Sequence, residues 1–122
     1  MEILVVIPDQ QAAENIRRHI NGCGHHVMLA GTIKDAVDIT SRQQFDLSFI
    51  HLNLPDGDGL ELVKYMKKKF PEIRIVAMTD SNSRPLELSA RKLGVIYYMV
   101  EPFEAREVSY ITDHLSKKAS NF

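Results

Sequence analysis

A single cysteine, Cys23, excludes an internal disulfide, and tryptophan is absent. Disulfide-stapled scaffolds are thereby ruled out, and a reducing, cytoplasmic setting is the expectation. Cys23 itself reads as a small residue in a turn, because no base can be paired with it. An excess of one charge is missing too. Fifteen Lys+Arg stand against 16 Asp+Glu, a formal net charge of -1, so nothing draws the domain to nucleic acid or to an anionic membrane. No apolar run is long enough to cross a bilayer. The opening MEILVVIPD lacks a basic region and a cleavage site and reads as a strand, not a secretion signal. Repeats, low-complexity stretches and linkers are absent. So is a glycine-rich phosphate loop, since the first strand hands over to Pro8-Asp9-Gln10-Gln11. That argues against a small hydrolase or cofactor binder that cradles phosphate at its first strand.

What is present is organised around Asp46–Leu62, DLSFIHLNLPDGDGLEL. It reads as a buried strand ending at His51, a turn at Pro55-Asp56-Gly57, and the start of a helix. Before it, Glu2–Ile7 is an apolar strand, and Asp9 caps a helix carrying Ala13, Ile16 and Ile20 on one face. Asn21-Gly22-Cys23-Gly24 ends that helix, and His25–Ala30 is a second strand. His25 and His26, at its start, read as exposed or edge residues. Thr32 caps a helix with Asp35 three residues on, and Ile33, Ala36 and Val37 face inward.

After the central stretch, the helix Asp58–Phe70 buries Val63, Met66 and Phe70. Ile73–Met78 is a fourth strand, ending at Thr79-Asp80. Ser83 and Pro85 open a helix with Leu86, Ala90 and Leu93, closed by Gly94. Val95–Val100 is the fifth strand. The last helix carries Val108, Ile111 and Leu115, and the polar tail Lys117–Phe122 reads as frayed. Five strands alternating with five helices mean a doubly wound α/β fold, one parallel sheet with helices on both faces. In the flavodoxin-like strand order 2-1-3-4-5, chemistry gathers at the carboxyl ends of strands one, three and four. Pro8, Asp9, His51, Thr79 and Glu101 converge there.

The motifs ILVV, LNLPDGDGLEL, IVAMT and YYMVEPF stand without gaps where a response-regulator receiver domain has its own. Nearly the whole chain, residues 1–122, resembles such a CheY-like domain of two-component signalling. The resemblance implies a degenerate, pseudo-receiver pocket. The family's magnesium-binding acidic pair is matched by Ile7 and Pro8, and a one-residue bulge at Pro8 would offer Asp9 as the second acid. The phosphoacceptor aspartate is matched by His51 and the lysine after strand five by Glu101. The strand-four hydroxyl, Thr79, and the aromatic switch position, Tyr98, are kept.

Aspartyl phosphorylation needs a carboxylate nucleophile, a divalent cation and a cation to grip the product. The resemblance leaves none of the three in place, so no cofactor is expected, magnesium included. His51 and Glu101 are expected either to satisfy each other, with Thr79 beside them, or to point to solvent. A phosphohistidine at His51 lacks a gripping cation. A transition metal such as zinc on His51, Asp9 and Glu101 fits by ligand type, without a recognised spacing.

What then remains is a surface. Receivers signal through the face of helix four, strand five and helix five, which here includes Leu86, Tyr97 or Tyr98, Arg106 and Tyr110. The expectation is a non-enzymatic module acting on a protein partner, an output domain or a second copy, independently of phosphorylation. The alternative is a domain still switched through His51 by a phosphoryl group, a metal or pH.

Overall fold

Apolar residues every second position build the sheet, and apolar residues every third or fourth build the helices around it. The structure is a computed structural model and describes residues 1–21 and 24–119, with side chains given up to 116. Its elements run β1 (Glu2–Val6), α1 (Gln10–Asn21), β2 (His26–Ala30), α2 (Ile33–Thr40), β3 (Leu47–His51), β4 (Asn53–Leu54), β5 (Gly57–Asp58), α3 (Gly59–Lys69), β6 (Arg74–Thr79), α4 (Arg84–Lys92), β7 (Tyr97–Val100) and α5 (Ala105–Ala119). The main sheet has the order β2-β1-β3-β6-β7, all parallel. This is the 2-1-3-4-5 winding read from the sequence, with a two-stranded antiparallel ribbon, β4-β5, inserted after the third strand. The ribbon is a departure from the simple turn expected at Pro55-Asp56-Gly57.

The pleat sorts the core into two layers. Ile3, Val5, Leu47, Phe49, Val76 and Met78 face α1 and α5, where they meet Ile16, Ile20, Val108 and Ile111. Leu4, Val6, Ile50, Ile75 and Ala77 face α2, α3 and α4, against Ala36, Leu62, Met66 and Ala90. β3 is buried along its whole length, as a central parallel strand covered on both faces must be. Each large side chain fully buried here contributes roughly 1.5–3 kcal/mol. Ile33, Val37, Phe70, Leu86 and Leu93, expected on inward faces, are only partly buried and pack at the margin of the second layer.

The helix starts follow their caps. The Asp9 carboxylate accepts from the N–H groups of Gln11 (2.9 Å) and Ala12 (3.3 Å). Thr32 Oγ1 accepts from Asp35 N–H, Asp58 from Leu60 N–H and Ser83 from Leu86 N–H. Two corrections concern the ends. His25 is buried, its Nδ1 2.9 Å from the amine of Met1, while His26 alone is exposed and meets Glu2 at 2.8 Å. α5 continues to Ala119, so residues 117–119 of the supposed frayed tail are helical. Residues 120–122 and Cys23 lie outside the described residues.

Candidate functional site

The carboxyl ends of β1, β3, β6 and β7 meet at one edge of the sheet, and strand parity decides which side chains share a side. His51 is in phase with Leu47 and Phe49, Ile7 with Ile3 and Val5, and Glu101 with Tyr97 and Met99. All three therefore belong to the α1/α5 side. Thr79 is in phase with Ile75 and Ala77, on the opposite side.

The result is a short row across β6. The His51 side chain is 7% exposed, and its Nε2 lies 3.6 Å from Glu101 Oε1, whose own side chain is 38% exposed. That separation is longer than a hydrogen bond. The other ring nitrogen, Nδ1, is 3.2 Å from both the carbonyl oxygen and the amide nitrogen of Asn53. If the Asn53 N–H donates to Nδ1, the ring proton sits on Nε2 and faces Glu101. If Nδ1–H donates to the carbonyl, Nε2 carries the lone pair.

The remaining expected members are placed differently. Thr79 Oγ1 accepts from the N–H of Ser81 (3.0 Å) and donates to its carbonyl (3.3 Å), so it stabilises its own loop and does not join the pair. The Asp9 carboxylate is engaged in capping α1. The acid that does approach is Asp80. Its Oδ1 accepts from Asn53 Nδ2 at 2.7 Å, and one ligand atom each of His51, Asp80 and Glu101 lies within 4.8 Å of the others. Ile7 is buried and its N–H donates to Ala30 O; Pro8 is exposed. Asn53 and Asp80 were missed in the sequence. Asp80 follows directly on the strand-end hydroxyl, and Asn53 stands two residues beyond His51, so polarity beside a strand end was the available signal.

The loop that holds His51 is close-packed. A Cβ on Gly59 would lie 2.6 Å from His51 O and from Leu52 Cα, so only glycine lets α3 start against the strand end. Asp56, at the ribbon tip, accepts from the N–H groups of Ile33 (2.8 Å) and Lys34 (3.0 Å) at the start of α2. Those two bonds hold its carboxyl below the usual carboxylate range.

At the sheet edge, Tyr98 packs toward α4 with its hydroxyl buried and without a hydrogen-bond partner among the described residues. Burial pushes its phenol up and Glu87 adds to this, while the Ser83 backbone pulls weakly the other way. Tyr97 faces the opposite side and packs with the α1/α5 layer, so the two tyrosines do not form one patch. Leu86 turns inward, and its neighbour Leu88 is half exposed. Arg106, paired with Glu104, and Tyr110, 73% exposed, line a groove of about 680 Å³ between β7 and α5 together with Tyr98 and Phe103.

The sequence model of the response regulator receiver domain matches residues 3–113. The chain belongs to this family. Regulatory protein LuxO of Vibrio cholerae is 30% identical over 94 residues, covering 77% of this chain and 21% of that protein. Sporulation initiation phosphotransferase F of Bacillus subtilis is 25% identical over 108 residues, covering 88% and 87% respectively. A two-component response regulator from Clostridium difficile superposes with a TM-score of 0.92 at 22% identity over 99% of each chain. The receiver spans about a fifth of the length of the first curated relatives it matches, such as LuxO (21%) and FleR of Pseudomonas aeruginosa (22%). It is a receiver domain of two-component signalling, with the CheY-like fold.

The family's magnesium is a hard ion that needs oxygen ligands in octahedral array. At the end of β1 this receiver offers Ile7 and Pro8, which carry no side-chain oxygen, and Asp9, already bound to helix N–H groups. At the end of β3 it offers an imidazole. The residues do not fit that ion.

Proposed function

We propose that this receiver signals without aspartyl phosphorylation, by contact with a protein partner, an output domain or a second copy of itself. The carrying observation is the buried His51 at the carboxyl end of β3, facing Glu101 at 3.6 Å. Neither is able to do what phosphorylation there requires. Imidazole is not a carboxylate nucleophile, and a glutamate beside the site repels an incoming phosphoryl group. Ile7 and Pro8 at the end of β1 add no side-chain oxygen that could hold a counter-ion. The domain acts as a signalling module rather than an enzyme.

The surface left for signalling is the face of α4, β7 and α5. Arg106 and Tyr110 project from α5 beside the groove that Tyr98 closes from below. Arg and Tyr are the residue types that dominate binding energy at interfaces, and Leu88 adds an exposed apolar contact on α4. Incubation with acetyl phosphate and magnesium, followed by intact mass, tests the first half. No gain in mass is expected, and a gain of one phosphoryl group overturns the reading. Light scattering after gel filtration, on the wild type and Tyr110→Ala, reports whether the partner is a second copy.

A further inference from the structure

The hollow that does not suit magnesium holds a different set of donors. We infer that His51 Nε2 and one carboxylate oxygen each from Asp80 and Glu101 form a binding site for a divalent transition ion of the zinc class. The inference rests on the reading that aspartyl phosphorylation has left this pocket, and it adds what takes the place of the phosphoryl group.

The spacing is the first support. The three donor atoms lie within 4.8 Å of one another, and Nε2 to Glu101 Oε1 is 3.6 Å. This is too long for a hydrogen bond. It is close to the roughly 3.4 Å that separates two ligands at about 2.0–2.2 Å on a tetrahedral zinc. Asp80 is exposed and sits in a loop; with Oδ1 held by Asn53 Nδ2, a small turn of the carboxylate brings its oxygen into ligand range.

The histidine is the second and independent support. It is more than nine-tenths buried. Its Nε2 makes no hydrogen bond among the described residues, while Nδ1 is fixed against Asn53. Nδ1 is 3.2 Å from both the amide nitrogen and the carbonyl oxygen of Asn53. A bound ion selects the tautomer in which Nδ1–H donates to that carbonyl and the Nε2 lone pair, on the side of Glu101, is free for the metal. A ring anchored through one nitrogen and open at the other is the arrangement of a metal-ligating histidine. The same Asn53 donates from Nδ2 to Asp80 Oδ1 at 2.7 Å, so one residue orients two of the three donors. Two carboxylates brought this close repel each other, and a divalent ion between them removes that repulsion. One imidazole nitrogen with two carboxylate oxygens suits zinc, cobalt or nickel over magnesium and calcium. Three protein donors leave a fourth position for water or for a group from a partner.

The test is calorimetric titration of the untagged protein with zinc chloride, and with cobalt(II) followed by visible absorption. One equivalent should bind, unaffected by millimolar magnesium. Glu101→Gln and Asp80→Asn should each weaken it at least tenfold. Both side chains are solvent-exposed, so neither substitution threatens the fold, and circular dichroism checks this. His26→Ala, which removes the surface histidine beside Glu2, should leave the affinity unchanged. Absence of zinc binding, or binding indifferent to Glu101→Gln and Asp80→Asn, overturns the site. Acetyl phosphate run on the same samples separates the two claims. A phosphoryl gain defeats the proposed function whatever zinc does, whereas no phosphoryl gain and no zinc binding defeats only the metal site.

Discussion

A histidine in phase with Leu47 and Phe49 and a glutamate in phase with Met99 meet because both follow the alternation of their strands. The same alternation turns Thr79 away. Its hydroxyl was readable as a strand-end group, but whether it faced His51 depended on parity across three strands, and a shift of one residue reverses every side. Two residues nearby give sharper tests. Gly59→Ala forces a Cβ to 2.6 Å from backbone atoms of His51 and Leu52. These cannot rotate aside, so the variant should lose about 1–3 kcal/mol in urea unfolding. Tyr98→Phe removes a buried hydroxyl with no partner at hydrogen-bond geometry among the described residues, the Ser83 backbone acting on it only weakly. Relief of that desolvation should stabilise the domain by about 1 kcal/mol, raising Tm by roughly 3–5 °C. A loss of stability would mean that the hydroxyl is satisfied.

Among the elements, the short ribbon joins parts that the sheet does not. Asp56 reaches from its tip to the first N–H groups of α2, so the segment that follows His51 is tied to a second helix. An anion at a helix start is favoured by both the free N–H groups and the dipole. Because the folded carboxyl titrates below its ordinary value of 3.8, its contribution to stability is fully present above that value. It is lost as pH falls through the lower, folded-state value. Asp56→Asn should therefore lower Tm at neutral pH and flatten the acid limb of the Tm-against-pH curve below about pH 4, so that variant and wild type converge in acid. An unaltered acid limb would remove Asp56 from the account of that loop. The ribbon was invisible in the sequence for a physical reason. Strands of two residues have no hydrophobic period, and Pro55-Asp56-Gly57 announces only a turn. The helix caps Asp9, Thr32 and Ser83 were legible because each is a short polar side chain just before an apolar period.

Over the whole molecule, the alternation of strands and helices was sufficient to give the winding of the sheet, since right-handed crossovers leave few options. That His51 and Glu101 face each other at 3.6 Å is seen only in the structure, while their convergence at the carboxyl edge of the sheet followed from topology. The third member did not: Asp9 and Asp80 both stand after strand ends, and only the capping bonds of α1 show that Asp9 is committed elsewhere. His25 was misjudged because its burial depends on contact with the chain's first residue, which no local pattern reveals. No helix among the described residues is long and apolar enough to cross a membrane. The proposed function draws on two features of the fold, the α4–β7–α5 face and the pocket of His51 and Glu101 beside it. The most direct test of that function is an amide NMR titration with beryllofluoride and magnesium, which together imitate the phosphorylated state. The expected result is unchanged positions for Leu52, Thr79 and Glu101 up to millimolar concentrations. Saturable shifts at those three residues, spreading to Tyr98, would contradict signalling without phosphorylation.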